Sequence, residues 1–207
     1  KNVWGHYYTV PAWSTSDFLA RGSRSWQRGP DLPIVGGYAY DDAMCAVAIS
    51  DTSMLVIGLR SQYQYIWEYS IRTFLWKRWS ATFRVERHAS ACHKVGDTVV
   101  VAGGFPGFKS TEVIDLNTMR IRQAGDTASP RFFFGFLEMG LAGRTLVLTF
   151  GGAGDNWVVG GVDDSTVLQE WNVASETWSW SPAILVSRDS FSSVSVRASL
   201  VCKASDA

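Results

Sequence analysis

A repeated glycine pattern limits what this chain can fold into more than any other feature of its sequence. Short apolar runs end in glycine three times, as LVIG at Gly58, VVVAGG at Gly103 and LVLTFGG at Gly151, in steps of 45 and 48 residues. β-branched residues are common in these runs, and clusters of glycine, proline, aspartate and serine separate them, which is typical of short strands joined by turns. The sequence therefore predicts an all-β protein built from a repeated unit.

A second spacing recurs downstream of each glycine and predicts a hairpin. Two large residues lie seven positions apart with a polar centre between them, as in YSIRTFLW and WNVASETW. With the two strands before it, each hairpin completes a unit of four antiparallel strands, and radial repetition of such units makes a β-propeller. The seven-residue pairs are Leu19 and Trp26, Tyr69 and Trp76, Ile114 and Ile121, and Trp171 and Trp178.

This unit resembles the kelch repeat over nearly the whole chain. The resemblance depends on the doublets at Gly103 and Gly151, on the aromatic spacing, and on Arg87 and Arg131 at the start of the following units. It implies a kelch-like β-propeller of four-stranded blades. Departures are a single glycine at Gly58 and an insertion at 155–164. WD repeats are the nearest alternative, but no Trp-Asp dipeptide closes a unit.

The repeat predicts one domain and its internal boundaries. Because the two ends of the chain each carry only part of a unit, we expect them to pair and close a ring of about four blades, since closure protects sheet edges. A piece of a larger propeller is the alternative. The predicted single domain covers 1–207, with half-blades at 1–35 and 184–207 and full blades at 36–83, 84–127 and 128–183.

Composition excludes two classes of partner and favours one compartment slightly. Nineteen basic and nineteen acidic residues cancel, so we expect no nucleic-acid binding. No run approaches the roughly 20 apolar residues of a membrane helix, so we expect no membrane span. Three cysteines without close spacing form a poor disulfide framework, and Cys45 and Cys92 are predicted to be small buried side chains. This slightly favours a reducing, cytoplasmic location and leaves secretion open.

The residues that bear on catalysis do not form a recognisable active site. His88 and His93 lie five apart and would point to opposite faces of a strand, so we expect no metal and no cofactor. Arg87, Arg131 and Arg188 recur at equivalent positions, and we expect them to pair with backbone or acidic groups between blades. The alternative is a carbohydrate-binding or enzyme-type propeller, either sialidase-like with these arginines or copper-dependent and galactose-oxidase-like.

The links between strands two and three, and the links between units, are expected on one rim of the sheets. They are rich in Tyr, Trp, Phe and Arg, the residues that anchor protein interfaces. We therefore predict a non-catalytic scaffold that binds a protein partner, or a second copy of itself, through this rim. The candidate partner-binding residues are Tyr38, Tyr40, Arg60, Gln62, Tyr63, Arg84, Arg87, Phe105, Phe108, Lys109, Asn156 and Trp157.

Overall fold

The computed structural model describes residues 17–18, 24–31, 33, 44–59, 63–105, 109–141, 144–152 and 168–181. These residues form strands and no helix, so nothing in them could cross a membrane as a helix. The strands are β1 (Asp17–Phe18), β2 (Gln27–Arg28), β3 (Cys45–Ser50), β4 (Ser53–Ile57), β5 (Tyr65–Ser70), β6 (Leu75–Thr82), β7 (Ala91–Val95), β8 (Thr98–Ala102), β9 (Thr111–Asp115), β10 (Arg120–Gln123), β11 (Gly135–Leu141), β12 (Arg144–Phe150), β13 (Leu168–Asn172) and β14 (Thr177–Ser181).

The strands form three four-stranded antiparallel sheets, and this confirms the all-β prediction. Each sheet follows chain order, with β3 to β6 in the first sheet, β7 to β10 in the second and β11 to β14 in the third. β1 and β2 form a separate antiparallel pair near the start of the chain. The three sheets fall within 36–83, 84–127 and 128–183, whereas the predicted half-blade at 184–207 lies outside the described residues.

The seven-residue spacings correspond to cross-strand partners in each hairpin. Tyr69 lies opposite Trp76 with ring centroids 4.8 Å apart. Trp171 lies opposite Trp178 at 4.9 Å in the third sheet. The second sheet pairs two isoleucines at the equivalent positions. Each hairpin also turns through a non-glycine residue with positive φ, five positions after the first member of its pair; these residues are Phe74, Met119 and Glu176.

The glycine doublets end the second strand of the second and third sheets. Gly104 has a φ of 89° and Gly152 a φ of 91°, a backbone conformation that favours glycine. A Cβ atom at Gly104 would lie 2.7 Å from the carbonyl oxygen of His88, and one at Gly152 would lie 2.8 Å from that of Phe132. The doublets therefore let the link after the second strand pass close to the segment that begins the same sheet.

Two apolar cores lie between the three sheets, one at each boundary, and they explain the continuous apolar run of β8. Val99 and Val101 pack into the core shared with the first sheet, which includes Leu55 and Trp79. Val100 and Ala102, which point the other way, pack into the core shared with the third sheet. Because both faces of β8 are buried, it lacks the polar alternation of a half-exposed strand. The first strands of successive sheets are neighbours, since β7 contacts both β3 and β11.

Cys45 and Cys92 form a disulfide between the first and second sheets, so the prediction of two separate buried thiols is wrong. The two residues are 47 positions apart, close to one repeat length, and their Cα atoms are separated by 6.0 Å. That separation suits a disulfide. They meet because β3 and β7 lie side by side, a contact between units that the repeat within the sequence does not specify.

Candidate functional site

Arg87 lies beneath the links of the second sheet and does not form part of an exposed surface. Its guanidinium is fully buried and donates hydrogen bonds to the carbonyl oxygens of Gly103, at 3.2 Å, and Ser110, at 2.9 Å. It also forms an ion pair with Glu112 at 2.5 Å. Burial lowers the pKa of Arg87, and the Glu112 carboxylate opposes that shift. The expected pairing with backbone and acidic groups is confirmed, but the placement of Arg87 among exposed binding residues is corrected.

The third sheet contains the equivalent arrangement around Arg131. This arginine is also buried, and it donates hydrogen bonds to the hydroxyls of Ser129, at 3.1 Å, and Thr149, at 3.4 Å. Gln169 takes the strand position that Glu112 has in the second sheet, and its side-chain oxygen accepts a hydrogen bond from the backbone N–H of Ala128. Arg87 and Arg131 therefore fix the segments between sheets to the sheets that follow them, and the third recurring arginine, Arg188, lies outside the described residues.

Three rings form an aromatic cluster above this buried layer. Tyr63, from the link between β4 and β5, stacks on His88 with ring centroids 4.8 Å apart. Phe105, from the link between β8 and β9, has its ring centroid 5.3 Å from that of His88. The backbones of His88 and Phe105 exchange two hydrogen bonds, at 2.9 Å and 2.8 Å. The aromatic cluster thus joins three separate chain segments at the boundary between the first and second sheets.

Exposure differs among the members of the aromatic cluster. Phe105 is 47% exposed, whereas Tyr63 and His88 are partly buried. The His88 ring and two backbone hydrogen bonds hold Phe105 in place, and such pre-ordering lowers the entropy lost on binding. Phe105 is therefore the most exposed ring of the aromatic cluster, and it is held on one side by His88.

A small cleft on the second sheet has one exposed cation, Arg84, in its lining, and a second, Lys109, next to a lining residue in the sequence. Arg84 donates from its guanidinium to the Gln123 side chain at 3.2 Å, and its backbone N–H donates to Glu112 at 2.9 Å. Lys109 is exposed and directly precedes Ser110, which lines the cleft. The cleft has a volume of about 140 Å³ and is lined by Arg84, Val85, Ser110, Glu112 and Gln123.

The structure brings together some of the predicted partner-binding residues. Tyr63 and Phe105 meet in the aromatic cluster, and Arg84 and Lys109 lie beside the cleft. We name the surface formed by these four residues and His88 the link face. The other predicted residues lie outside the described part of the chain: Tyr38, Tyr40, Arg60, Gln62, Phe108, Asn156 and Trp157.

Sequence reasoning weighed His88 as a metal ligand, favoured a polar side chain at the rim instead, and so missed its place at the centre of the aromatic cluster. The available signal was its position directly after Arg87, in a segment expected on the same rim as the links. Among the residues that the structure describes, no three His, Cys, Asp or Glu side chains are grouped as ligands of a metal ion. His93 lies elsewhere, with its Nε2 atom 2.9 Å from the Glu138 carboxylate.

The chain was also compared with protein families and with individual proteins of known function. No protein-family model matches it, and the comparison with curated proteins gives no significant match. The functional interpretation therefore depends on the link face itself.

Proposed function

We propose that this chain is a kelch-type β-propeller that binds another protein through the link face and has no catalytic role. Three successive sheets with the same strand order, and first strands that neighbour one another, support the propeller. The observation that carries the binding function is the aromatic cluster, in which Phe105 remains 47% exposed while it packs on His88, which Tyr63 in turn supports. Exposed aromatic side chains such as Phe105 are common anchors of protein interfaces, as are arginines such as Arg84.

The buried arginines favour this function over the sialidase-like alternative. Arg87 and Arg131 are both buried and hydrogen-bonded within the protein. An arginine that held a ligand carboxylate would need its forked N–H groups directed at an accessible site. These two side chains instead bind carbonyl, hydroxyl and carboxylate groups of the chain, which supports a role in holding the links in place.

A capture experiment with two phenylalanine variants tests the proposal. Immobilised wild-type protein, Phe105→Ala and Phe74→Ala would each be exposed to an extract of the source cells, and bound proteins would be quantified by mass spectrometry. Phe74 is the matched control because it is 44% exposed at a hairpin between the third and fourth strands, away from the link face. We expect the Phe105→Ala variant to lose a partner that Phe74→Ala retains, with affinity falling at least about tenfold.

One further measurement makes this result decisive. Thermal unfolding of both variants establishes that the captured proteins reflect binding and not loss of fold. With both variants folded, identical sets of captured proteins from wild type and Phe105→Ala would contradict binding through the link face.

A further inference from the structure

The disulfide between Cys45 and Cys92 lies at the same sheet boundary as the aromatic cluster, and at the same end of it. Cys45 begins β3 and is paired with Ile57, the last residue of β4. The link that carries Tyr63 starts at the next residue, Gly58. On the side of the first sheet, the disulfide is therefore attached to the strands from which the Tyr63 link emerges.

The other half of the disulfide has the same relation to the second sheet. Cys92 is paired with Val101 in β8, two residues before Gly103, where the link to Phe105 begins. His88 precedes Cys92 by four residues. The stacking of Tyr63 on His88 thus crosses the boundary that the disulfide closes, and it does so at the link end of the strands.

Among the described residues, no disulfide joins the second and third sheets. Other contacts hold the first strands of these two sheets together. Phe136 takes the position in β11 that Cys92 takes in β7, and its ring stacks on His93 of the second sheet at 5.9 Å. The Nε2 atom of His93 also lies 2.9 Å from the Glu138 carboxylate. Packing and a polar contact join these first strands, so the covalent bond is a particular property of the boundary beneath Tyr63 and His88.

We propose that the Cys45–Cys92 disulfide is a redox-sensitive latch on the link face, which holds Tyr63 against His88 when oxidised and releases it when reduced. The effect of this latch on partner binding rests on the proposed function, in which the link face binds a protein. Both cysteines are only partly buried, so a small thiol can approach the bond.

The reductant for this latch is a dithiol. One of its thiolates attacks a sulfur of the disulfide and forms a mixed disulfide, and the other thiolate then displaces the remaining cysteine. The dithiol loses two electrons and two protons and becomes a disulfide, while Cys45 and Cys92 become thiols. Reduction leaves the second and third sheets joined as before, because their shared core and polar contacts involve neither cysteine.

Hydrogen exchange with and without dithiothreitol tests the latch on the full chain. Alkylation of the unfolded, unreduced protein should modify one of the three cysteines, and alkylation after reduction should modify all three. On reduction we expect amide exchange to rise at least about tenfold in peptides covering 45–59 and 63–70. Peptides covering 111–123 and 168–181 should keep their exchange rates.

Nuclear magnetic resonance of the histidine rings reports the stacking directly. Reduction should move the ring-proton signal of His88, assigned with a His88→Gln variant, and Tyr63→Ala should reproduce that shift in the oxidised protein. The Cys45→Ser/Cys92→Ser variant is the matched control, and it should show the reduced-state signal with or without dithiothreitol.

Three outcomes would overturn the latch: three reactive thiols before reduction, exchange rates that do not change, or a rise of equal size in all three sheets. None of these readouts uses a binding partner. Failure of the latch experiments would therefore not count against binding through the link face, and failure of the Phe105→Ala capture experiment would not count against the latch.

Discussion

At two equivalent positions, the second sheet has an acidic residue where the third sheet has the corresponding amide. In β9 of the second sheet the residues are Glu112 and Asp115, and in β13 of the third sheet they are Gln169 and Asn172. Each pair has nearly the same shape and differs in charge. The two sheets are therefore a natural test of whether charge or an oxygen acceptor is needed at these positions.

Hydrogen bonds to the backbone are the same with and without charge. The Oε1 atoms of Glu112 and Gln169 each accept a hydrogen bond from a backbone N–H at 2.9 Å. The Oδ1 atom of Asp115 accepts two backbone N–H groups at 2.9 Å and 2.8 Å, and that of Asn172 accepts two at 3.0 Å. The geometry of these backbone hydrogen bonds thus requires an oxygen acceptor and not a charge.

Charge matters where a buried cation lies against the acceptor. The second oxygen of Glu112 forms an ion pair with the fully buried Arg87. An amide cannot supply that charge, and a buried cation that loses its counterion is strongly destabilising. Glu112 therefore accepts a backbone hydrogen bond as Gln169 does and also pairs with a buried cation. The buried Arg131 of the third sheet instead donates to the hydroxyls of Ser129 and Thr149, so the two sheets hold their buried arginines by different groups.

The largest expected effect comes from making the second sheet like the third at this position. Glu112→Gln keeps the acceptor for the backbone N–H of Arg84 and removes the charge beside Arg87. We expect the free energy of unfolding to fall by about 3 kcal/mol, because Arg87 would remain buried without its counterion. Urea unfolding monitored by tryptophan fluorescence measures this loss.

Asp115→Asn is the control for Glu112→Gln, because it makes the same change from acid to amide at a site without a buried cation. Equal losses in the two variants would show that charge has no special role at Glu112, and the two sheets would then differ in sequence only.

The repeat within each sheet was predictable because local spacing encodes it. Residues seven apart must face each other in a hairpin of this length, so the pairing of Trp171 with Trp178 follows from the sequence. The glycine doublets likewise marked the ends of second strands. In the site, the same local reasoning placed Tyr63 and Phe105 in links expected on one rim.

Contacts between sheets were not predictable, because they depend on how one repeat lies against the next. The disulfide joins first strands of different units, and nothing in the spacing of three cysteines identifies which two meet. Arg87 was placed at the surface because its segment, FRVER, links two units and was expected on the rim with the other links rich in aromatic residues and arginine. The informative signal was Glu112, a charged residue directly before Val113 and Ile114 in the strand TEVID, which needs a partner once that strand is buried.

A smaller effect is expected where the third sheet contacts the second through Trp178. The second sheet has Ile121 at the equivalent position, whereas the Trp178 indole N–H donates to the buried hydroxyl of Thr111 at 2.9 Å. Trp178→Phe keeps a ring against Trp171 and removes the donor, and we expect a loss of about 1 kcal/mol in urea unfolding.

Trp180→Phe makes the same substitution two residues later on β14, where the side chain is 63% exposed, and should change stability by less than about 0.5 kcal/mol. If Trp178→Phe were as mild as this control, the hydrogen bond to Thr111 would not contribute to the boundary between the second and third sheets.

The smallest expected effect lies in the hairpin turns, where pH separates the acid from the amide. Hydrogen bonds from the backbone N–H groups of Thr118 and Asn117 lower the pKa of Asp115. An aspartate whose pKa is lower in the folded state stabilises the fold fully above its unfolded pKa of about 3.9, and this stabilisation is lost as pH falls through the folded value. Asn172, in the third sheet, does not titrate.

Exchanging the two turn residues tests whether this acid dependence belongs to Asp115. Thermal midpoints measured from pH 7 to pH 2 should separate wild type from Asp115→Asn most at neutral pH, and the separation should shrink below about pH 4. Asn172→Asp should add the same dependence to the third sheet, because its turn offers the same two backbone donors. If the plots of thermal midpoint against pH were parallel for all three proteins, the turn would bind ionised and neutral oxygens equally well. Asp115 would then stabilise the second sheet no more than Asn172 stabilises the third.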